Sequence, residues 1–205
     1  MLIPSWNVVE QFERRMAAYA GAPFAIATDT CTSALALCFS KVQARVVSLP
    51  PFTYLGVACA AIHAGAEVRL NGDHWKGAYK IVIDGKRDWW TIWDGACRMR
   101  RDMYRVEYAG STVCLSFQSR KHLKIGRGGM ILTDDAEHAA WFRKARFLGR
   151  AEHNGVPEFI GWHCFMEPER AARGLQLMDS LPDDNKDLCF KYPDLRQYEV
   201  LRGQK

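Results

Sequence analysis

Residues 116–129, "SFQSRKHLKIGRGG", lie between the apolar runs "TVCL" and "MILT". Two short apolar runs of this kind predict two β-strands. The three glycines near the end of the segment, Gly126, Gly128 and Gly129, indicate a backbone that turns tightly or passes close to another part of the chain. A basic run that contains Lys121 precedes them. The segment is therefore either the turn of a hairpin or a loop that positions a lysine for chemistry.

Strand-like and helix-like patterns alternate on both sides of this segment. Apolar residues at helical spacing predict helices at "WNVVEQFERRMAAYAG", "CTSALALCFSKV", "YLGVACAAIHAG" and "AEHAAWFRKARFLG". Short apolar runs predict strands at "FAIAT", "RVVSLP", "AEVRL", "KIVIDG", "WTIWDG", "TVCLSF" and "GGMILTD". The alternation predicts an α/β fold with three layers, in which helices flank a largely parallel, mixed sheet. Ligands collect at the carboxyl ends of such strands, which directs attention to residues 28–32, 51–54 and 116–121 and to Asp94.

Composition limits the class of protein. The chain of 205 residues is 48% hydrophobic, enough for one substantial core. Charges interrupt the first 21 residues, so we expect no signal peptide and no membrane span, and a cytoplasmic location. The seven cysteines are odd in number and scattered, which favours reduced thiols without a structural metal site. A net charge of +5 favours an anionic ligand but supports nucleic-acid binding only weakly.

Five segments, in order, resemble successive parts of the DegT/StrS-type (DegT/DnrJ/StrS) sugar aminotransferases. They are residues 12–37, 46–68, 92–99, 114–135 and 161–181. That family belongs to fold type I of the enzymes that use pyridoxal 5′-phosphate (PLP). Its most specific element here is S-F-x-x-x-K-x-L-x-x-G-x-G-G, and the resemblance implies that Lys121 forms the Schiff base with PLP.

The resemblance also implies roles for other residues at the strand ends. Asp94 would keep the PLP ring nitrogen protonated, and Tyr54 would stack on the ring. The phosphate would be bound by backbone groups of Cys31 and Thr32, at a helix start that favours anions, with the hydroxyls of Thr32 and Ser116. In the segment "GWHCFM", His163 would reach the cofactor phosphate of a neighbouring subunit, which implies a homodimer.

The same residues have simpler interpretations when each is taken alone. Lys121 also fits a solvated basic turn, because three other cations surround it. Asp94 precedes a glycine and fits an ordinary turn. Tyr54 fits an aromatic that packs on the core, and "TDTCTS" fits a helix N-cap. The order of the five segments favours the cofactor interpretation.

Several positions depart from the family pattern. Cys31 stands where the family usually has glycine, and Cys97 stands where it has histidine or glutamine. Arg127 replaces an acidic residue, while His163 and Phe165 replace asparagine and arginine. Imidazole can still donate to a phosphate, whereas a phenyl ring cannot replace a guanidinium.

Length is the largest departure. Residues 1–181 correspond to a reduced PLP-binding large domain, and residues 182–205 lack periodicity and resemble a C-terminal tail in place of the small domain. Because the small domain usually helps to close the site, its loss implies an open site, a bulky substrate or a partner that supplies the missing wall.

The leading functional prediction is a PLP-dependent aminotransferase that moves an amino group from a small-molecule donor to a keto-sugar or nucleotide-linked acceptor. One alternative is decarboxylation, or another reaction at Cα, of an amino-acid group carried by a nucleotide or nucleic acid. A second alternative, from a different class, is a catalytically silent binding or scaffold protein with the same fold.

Overall fold

The computed structural model describes residues 6–72, 74–85, 90–151 and 155–201. Its α-helices are α1 (Trp6–Ala20), α2 (Cys31–Val42), α3 (Leu55–His63), α4 (Ala136–Ala145) and α5 (Pro168–Met178). Its strands are β1 (Phe24–Thr28), β2 (Ala44–Leu49), β3 (Glu67–Leu70), β4 (Tyr79–Gly85), β5 (Ile92–Asp94), β6 (Thr112–Ser116) and β7 (Gly129–Thr133). One turn of π-helix, Tyr104–Tyr108, and two short 3₁₀ helices, Leu195–Gln197 and Glu199–Leu201, complete the described elements. Within these residues, every helix is too short or too polar to cross a membrane.

The described strands form one seven-stranded sheet in the order β1-β7-β6-β5-β4-β2-β3. Five strands run in one direction, and β4 and β7 run in the other. The predicted α/β class with a mixed sheet is confirmed. Because β4 and β7 each lie between strands of opposite direction, only the pairs β5–β6 and β2–β3 are parallel neighbours among the described strands.

Helices cover both faces of the sheet, so the three layers are also confirmed. Side chains alternate between the two faces along each strand. In β1, Ile26 joins the core formed with α2, α3 and α4. Its neighbours Ala25 and Ala27 join the opposite core, formed with α1 and α5.

Residues 116–129 connect an antiparallel pair, because Ser116 at the end of β6 lies opposite Gly129 at the start of β7. The segment is therefore a long hairpin connection. Gly126 has φ +112°, a conformation that side chains rarely adopt. Gly129 is needed for space: a methyl group there would lie 2.4 Å from the backbone nitrogen of Cys31. The glycine at this position lets β7 lie directly against the start of α2.

A buried ion pair fixes the end of β1. Arg146 Nη1 donates to Glu13 Oε1 and to the carbonyl oxygen of Ala27, and the Ala27 N–H donates to Glu13 Oε1 at 2.8 Å. Arg146 and Glu13 are both buried. Burying a charged group is costly unless it is paired and hydrogen-bonded, and here both partners are. The pair joins α1, β1 and the residue after α4.

We predict that Gly129→Ala lowers the free energy of unfolding by about 1–3 kcal/mol, because the new methyl group forces backbone apart at a site without spare volume. Urea denaturation followed by circular dichroism measures the change. Gly72→Ala is the matched control, since a methyl group there meets no atom within 4 Å. Equal effects of the two substitutions would contradict the close approach of β7 to α2.

Candidate active site

A cavity of about 220 Å³ lies at the carboxyl ends of β5 and β6 and at the starts of α2 and α3. Six of the seven residues predicted from the sequence line it, namely Cys31, Thr32, Tyr54, Asp94, Ser116 and Lys121. The parallel pairing of β5 with β6 puts the ends of these strands at the same edge of the sheet. The fold thus gathers residues that are up to 90 positions apart in the sequence.

The Lys121 side chain enters this cavity from the hairpin connection and is only 9% exposed. Its amine donates to Cys97 Sγ at 3.0 Å and to the Tyr192 hydroxyl at 3.4 Å. It also lies 4.6 Å from the centre of the Phe190 ring. Lys124, three residues later, is exposed. The basic run therefore contains one buried amine and one solvated one, and the buried amine is at the position that the motif identified.

Asp94 ends β5 and is also buried. Its Oδ1 accepts a hydrogen bond from the Ala96 N–H at 2.9 Å. Burial raises the pKa of the Asp94 carboxyl, although the Ala96 N–H and the charge of Lys121 act in the opposite direction. A buried carboxylate is stabilised by a cationic or strongly donating partner, and a protonated ring nitrogen would be one.

Tyr79 lies beside Asp94 on β4. Burial, followed by the nearby charge of Asp94, raises the pKa of the Tyr79 phenol well above its ordinary value. The two hydroxyl groups of Tyr79 and Thr53 share a hydrogen bond of 2.9 Å. This part of the site therefore holds a neutral phenol against a carboxylate.

The start of α2 provides an environment suited to an anion. Thr30 caps the helix, and its Oγ1 accepts from the Ser33 N–H at 3.0 Å. Cys31 and Thr32, the first two residues of the helix, have N–H groups that the α-helical pattern leaves without an internal acceptor. The N-terminal end of the helix dipole adds positive potential. These donors line the same cavity as Lys121 and Asp94.

Gly56 brings Tyr54 close to the start of α2. A methyl group at Gly56 would lie 2.5 Å from the Tyr54 ring and 2.9 Å from Thr32 Oγ1. Tyr54 is 57% exposed, and the centre of its ring is 6.5 Å from that of Tyr192. A large part of the Tyr54 side chain is therefore accessible at the wall of the cavity.

The donor set fits PLP. A buried amine can carry an aldehyde, a buried carboxylate can pair with a ring nitrogen, and a helix start with Thr and Ser hydroxyls can bind a phosphate. Burial raises the pKa of the Cys31 thiol well above its ordinary value, so the thiol stays neutral beside a bound phosphate.

His163 is the predicted residue that the structure places elsewhere. It is exposed and lines a neighbouring cavity of about 150 Å³. Arg127 lines both cavities, and its Nη2 donates to Asp29 Oδ2 at 2.7 Å. Within one chain, His163 therefore does not join the other six residues.

The C-terminal part of the chain contributes residues that the sequence patterns did not identify. Phe190 and Tyr192 line the cavity with Lys121. These two residues cover part of the site, whereas an open site was one of the three alternatives expected from the sequence. The alternation of aromatic residues in "FKY" is compatible with an extended segment, but nothing local indicates where that segment lies.

Comparisons with known proteins identify relatives of the chain and structures with a similar fold. The sequence model of the DegT/DnrJ/EryC1/StrS aminotransferase family matches residues 3–72 and 100–187. The spore coat polysaccharide biosynthesis protein SpsC of Bacillus subtilis (strain 168) is 28% identical over 228 residues, which cover 87% of this chain and 58% of SpsC. The chain therefore spans little more than half the length of that relative.

Two solved structures are similar in fold. A putative PLP-dependent aminotransferase from Bacillus cereus ATCC 10987 has a TM-score of 0.70 at 17% identity, covering 85% of this chain and 58% of its own. DesI, solved in the presence of its TDP-sugar product, has a TM-score of 0.65 at 22% identity, covering 86% of this chain and 54% of its own. The fold is that of the fold-type-I PLP-dependent aminotransferases.

We predict that Asp94→Asn raises the free energy of unfolding at pH 7 in protein without added cofactor. The folded-state pKa of Asp94 is raised above its unfolded value, so ionisation of Asp94 destabilises the fold at neutral pH, and asparagine removes that ionisation. The gain should shrink as the pH falls through the raised folded-state pKa and disappear below about pH 3.9, the unfolded-state pKa, where both states bind the proton. Urea denaturation across this pH range measures it.

Asp135→Asn is the control with the opposite sign. Asp135 caps α4 through the His138 N–H at 2.8 Å, and this bond lowers the pKa of its carboxyl. Its substitution should cost stability at pH 7 and cost less at low pH. A loss of stability in Asp94→Asn at pH 7 would contradict the assigned environment of Asp94.

Proposed function

The chain belongs to the DegT/DnrJ/EryC1/StrS aminotransferase family, and we propose that it is a PLP-dependent aminotransferase in which Lys121 carries the cofactor. The observation that carries this proposal is the presence of one buried amine, Lys121, and one buried carboxylate, Asp94, in the same cavity. PLP, when bound, withdraws electrons from the Cα of an attached amino compound and so allows a proton to leave that carbon.

In this proposal Lys121 has two tasks. Its Nζ would hold the cofactor at the aldehyde carbon. Once released by an amino donor, Nζ would move a proton from the substrate Cα to C4′, as general base and then general acid. Cys97 Sγ, 3.0 Å from Nζ, orients the amine in the cavity.

Asp94 would hold a proton on the ring nitrogen of the cofactor. The carboxylate is buried, so its interaction with a cationic ring is stronger than it would be in water. Such pairing also removes the cost of an ionised carboxylate that burial otherwise disfavours. Ligand binding and the correct charge state of Asp94 therefore support each other.

The other cavity residues position the cofactor. We assign ring stacking to Tyr54 and phosphate binding to the N–H groups of Cys31 and Thr32, with the hydroxyls of Thr32 and Ser116. Their placement at the start of α2 and at the end of β6 supports these roles.

For the substrates, we propose a small-molecule amino donor and a keto-sugar acceptor linked to a nucleotide. Two relatives support the acceptor class: SpsC is named for polysaccharide biosynthesis, and DesI was solved in the presence of its TDP-sugar product. We also propose that residues 1–181 act as a reduced large domain and that the protein works in the cytoplasm. All seven cysteines are free thiols, as expected in a reducing compartment.

We predict that Lys121→Ala abolishes covalent PLP binding in this cavity and leaves the fold intact, because Lys121 is the one lysine among the described residues that line the cavity. Visible absorbance of PLP-loaded protein before and after borohydride measures it, and circular dichroism checks the fold. Lys124→Ala, which removes an exposed amine from the same loop, should behave as wild type. A borohydride-sensitive band in Lys121→Ala would contradict the proposal.

We further propose a homodimer in which His163 reaches the cofactor phosphate of the second subunit. Its exposure supports this, as does the cavity that it shares with Arg127 beside the site. Helix α5 packs within its own chain, since Gly174 lies against Phe12 of α1 and Ala171 is buried, so we place the dimer contact at His163 and not on this face of α5.

His163→Ala is expected to weaken PLP binding several-fold without changing the covalent link at Lys121, since it removes one donor to the phosphate. Equilibrium titration measures the affinity, and His63→Ala, at an exposed position of α3, is the control. A protein that sediments as a monomer at micromolar concentration while it retains stoichiometric PLP would refute the shared site.

A further inference from the structure

The segment of residues 187–195 separates two cavities. The inner cavity is the one of about 220 Å³ that contains Lys121. The outer cavity is about 370 Å³ and is lined by Phe52, His74, Trp75 and residues 188–192. Trp75, Phe190 and Tyr192 line both cavities. The aromatic residues of this segment therefore form the wall between the two spaces.

The segment is attached firmly at both of its ends. Asp187 accepts from Arg98 at 2.6 and 3.0 Å and from Arg100 at 3.0 Å. The Leu188 N–H donates to the Cys97 carbonyl at 2.9 Å. At the other end Leu195 is buried, and its N–H donates to the Pro51 carbonyl at 2.8 Å.

Between these ends the segment is held by aromatic and cation–π contacts and by the hydrogen bond from Lys121 Nζ to the Tyr192 hydroxyl. The Tyr192 ring is stacked with that of Trp75 at 6.0 Å between centres, and the Phe190 ring lies 5.9 Å from that of Tyr192. Cys189 and Lys191 are exposed. Ring contacts of this kind are weaker and less directional than buried ion pairs, so the middle of the segment can move while its ends stay in place.

Phe190 and Tyr192 also cover the reactive amine. The ring centre of Phe190 is 4.6 Å from Lys121 Nζ, and the Tyr192 hydroxyl is 3.4 Å from it. In this arrangement the two aromatic side chains shield the amine from the outer cavity.

The sizes of the two cavities indicate which ligands each could hold. Small-molecule sites usually have volumes of about 300–1,000 Å³. The inner cavity is below this range at about 220 Å³, but together with the outer cavity of about 370 Å³ it falls within it. Displacement of the wall between the cavities would join them into a space for a cofactor together with a larger acceptor.

We propose that Phe190 and Tyr192 form a movable partition that determines by size which ligands reach Lys121. Ligands that fit the inner cavity reach the amine with the partition in place. A nucleotide-linked acceptor reaches it only when the segment between Asp187 and Leu195 moves outward and joins the cavities. The identity of that acceptor rests on the proposed function, whereas the size selection does not.

The thiol of Cys97 allows a test without PLP. Cys97 lines the inner cavity, is 1% exposed and has its Sγ 3.8 Å from the Tyr192 hydroxyl. Each variant is made in a Cys189→Ser background, which removes the exposed thiol. The rates of labelling of Cys97 by N-ethylmaleimide and by the bulkier fluorescein maleimide are measured by peptide mass spectrometry. The ratio of the N-ethylmaleimide rate to the fluorescein maleimide rate at Cys97 measures the size selection. It is divided by the same ratio at the exposed Cys189 of the wild-type protein, which corrects for the intrinsic reactivity of the two reagents.

With the partition present, N-ethylmaleimide should be favoured at Cys97 by roughly tenfold or more, because the bulky reagent requires a larger local opening. The double variant Phe190→Ala, Tyr192→Ala should lose this preference. Asp187→Asn, which keeps both rings but weakens one end of the segment, should accelerate labelling by both reagents. Lys191→Ala is the matched control and should keep the wild-type ratio.

Cys38 and Cys114 report the integrity of the core, since both are fully buried. An unchanged ratio in the double variant, with these two thiols still protected, would overturn the partition. Labelling of Cys38 and Cys114 as fast as Cys97, in both the double variant and Asp187→Asn, would also overturn it, because the segment would then be a structural support. The labelling needs no cofactor, so its outcome does not depend on whether Lys121 binds PLP.

Discussion

The burial of the Lys121 amine is the constraint on which the rest of the site depends. A lysine is seldom buried without a partner, and here the polar atoms that its amine meets are the Cys97 sulfur and the Tyr192 oxygen. The hairpin connection that carries it keeps its position because Gly129 lets β7 lie on the backbone at the start of α2. The same contact brings the helix N-terminus to the amine, so one glycine links the lysine to the phosphate-binding end of the site.

Buried charges recur where the chain needs a fixed geometry. The Glu13 and Arg146 pair fixes the end of β1, two residues before the cap of α2. Asp187 attaches the C-terminal segment to the partly exposed Arg98 and Arg100 through ion pairs that are less buried. Buried ion pairs add little net stability but become costly when one partner is lost. They are therefore suited to fixing the positions of the elements around the site. The aromatic contacts of Phe190 and Tyr192 leave the wall between the two cavities movable.

The sequence predicted the elements and most of the site, because both depend on local patterns. Alternation of short strands and helices identifies the fold class, and six predicted residues lie in one cavity. Strand direction was harder to predict from the sequence, since the alternation of residues between the two faces is the same in either direction. The strands β4 and β7 are antiparallel to both of their neighbours. Phe190 and Tyr192 were missed because the partners that place their segment, such as Arg98 for Asp187, lie about 90 residues away. Burial of Lys121 was equally hidden, since its local sequence is that of a solvated basic turn.

The most direct test of the central claim is to locate the covalent adduct. Wild-type protein is incubated with PLP, reduced with borohydride, digested and analysed by mass spectrometry. If Lys121 is the cofactor-binding amine, one phosphopyridoxyl group is found, on the peptide that contains Lys121. An adduct on Lys124, or no adduct on the folded protein, would contradict this account of the site.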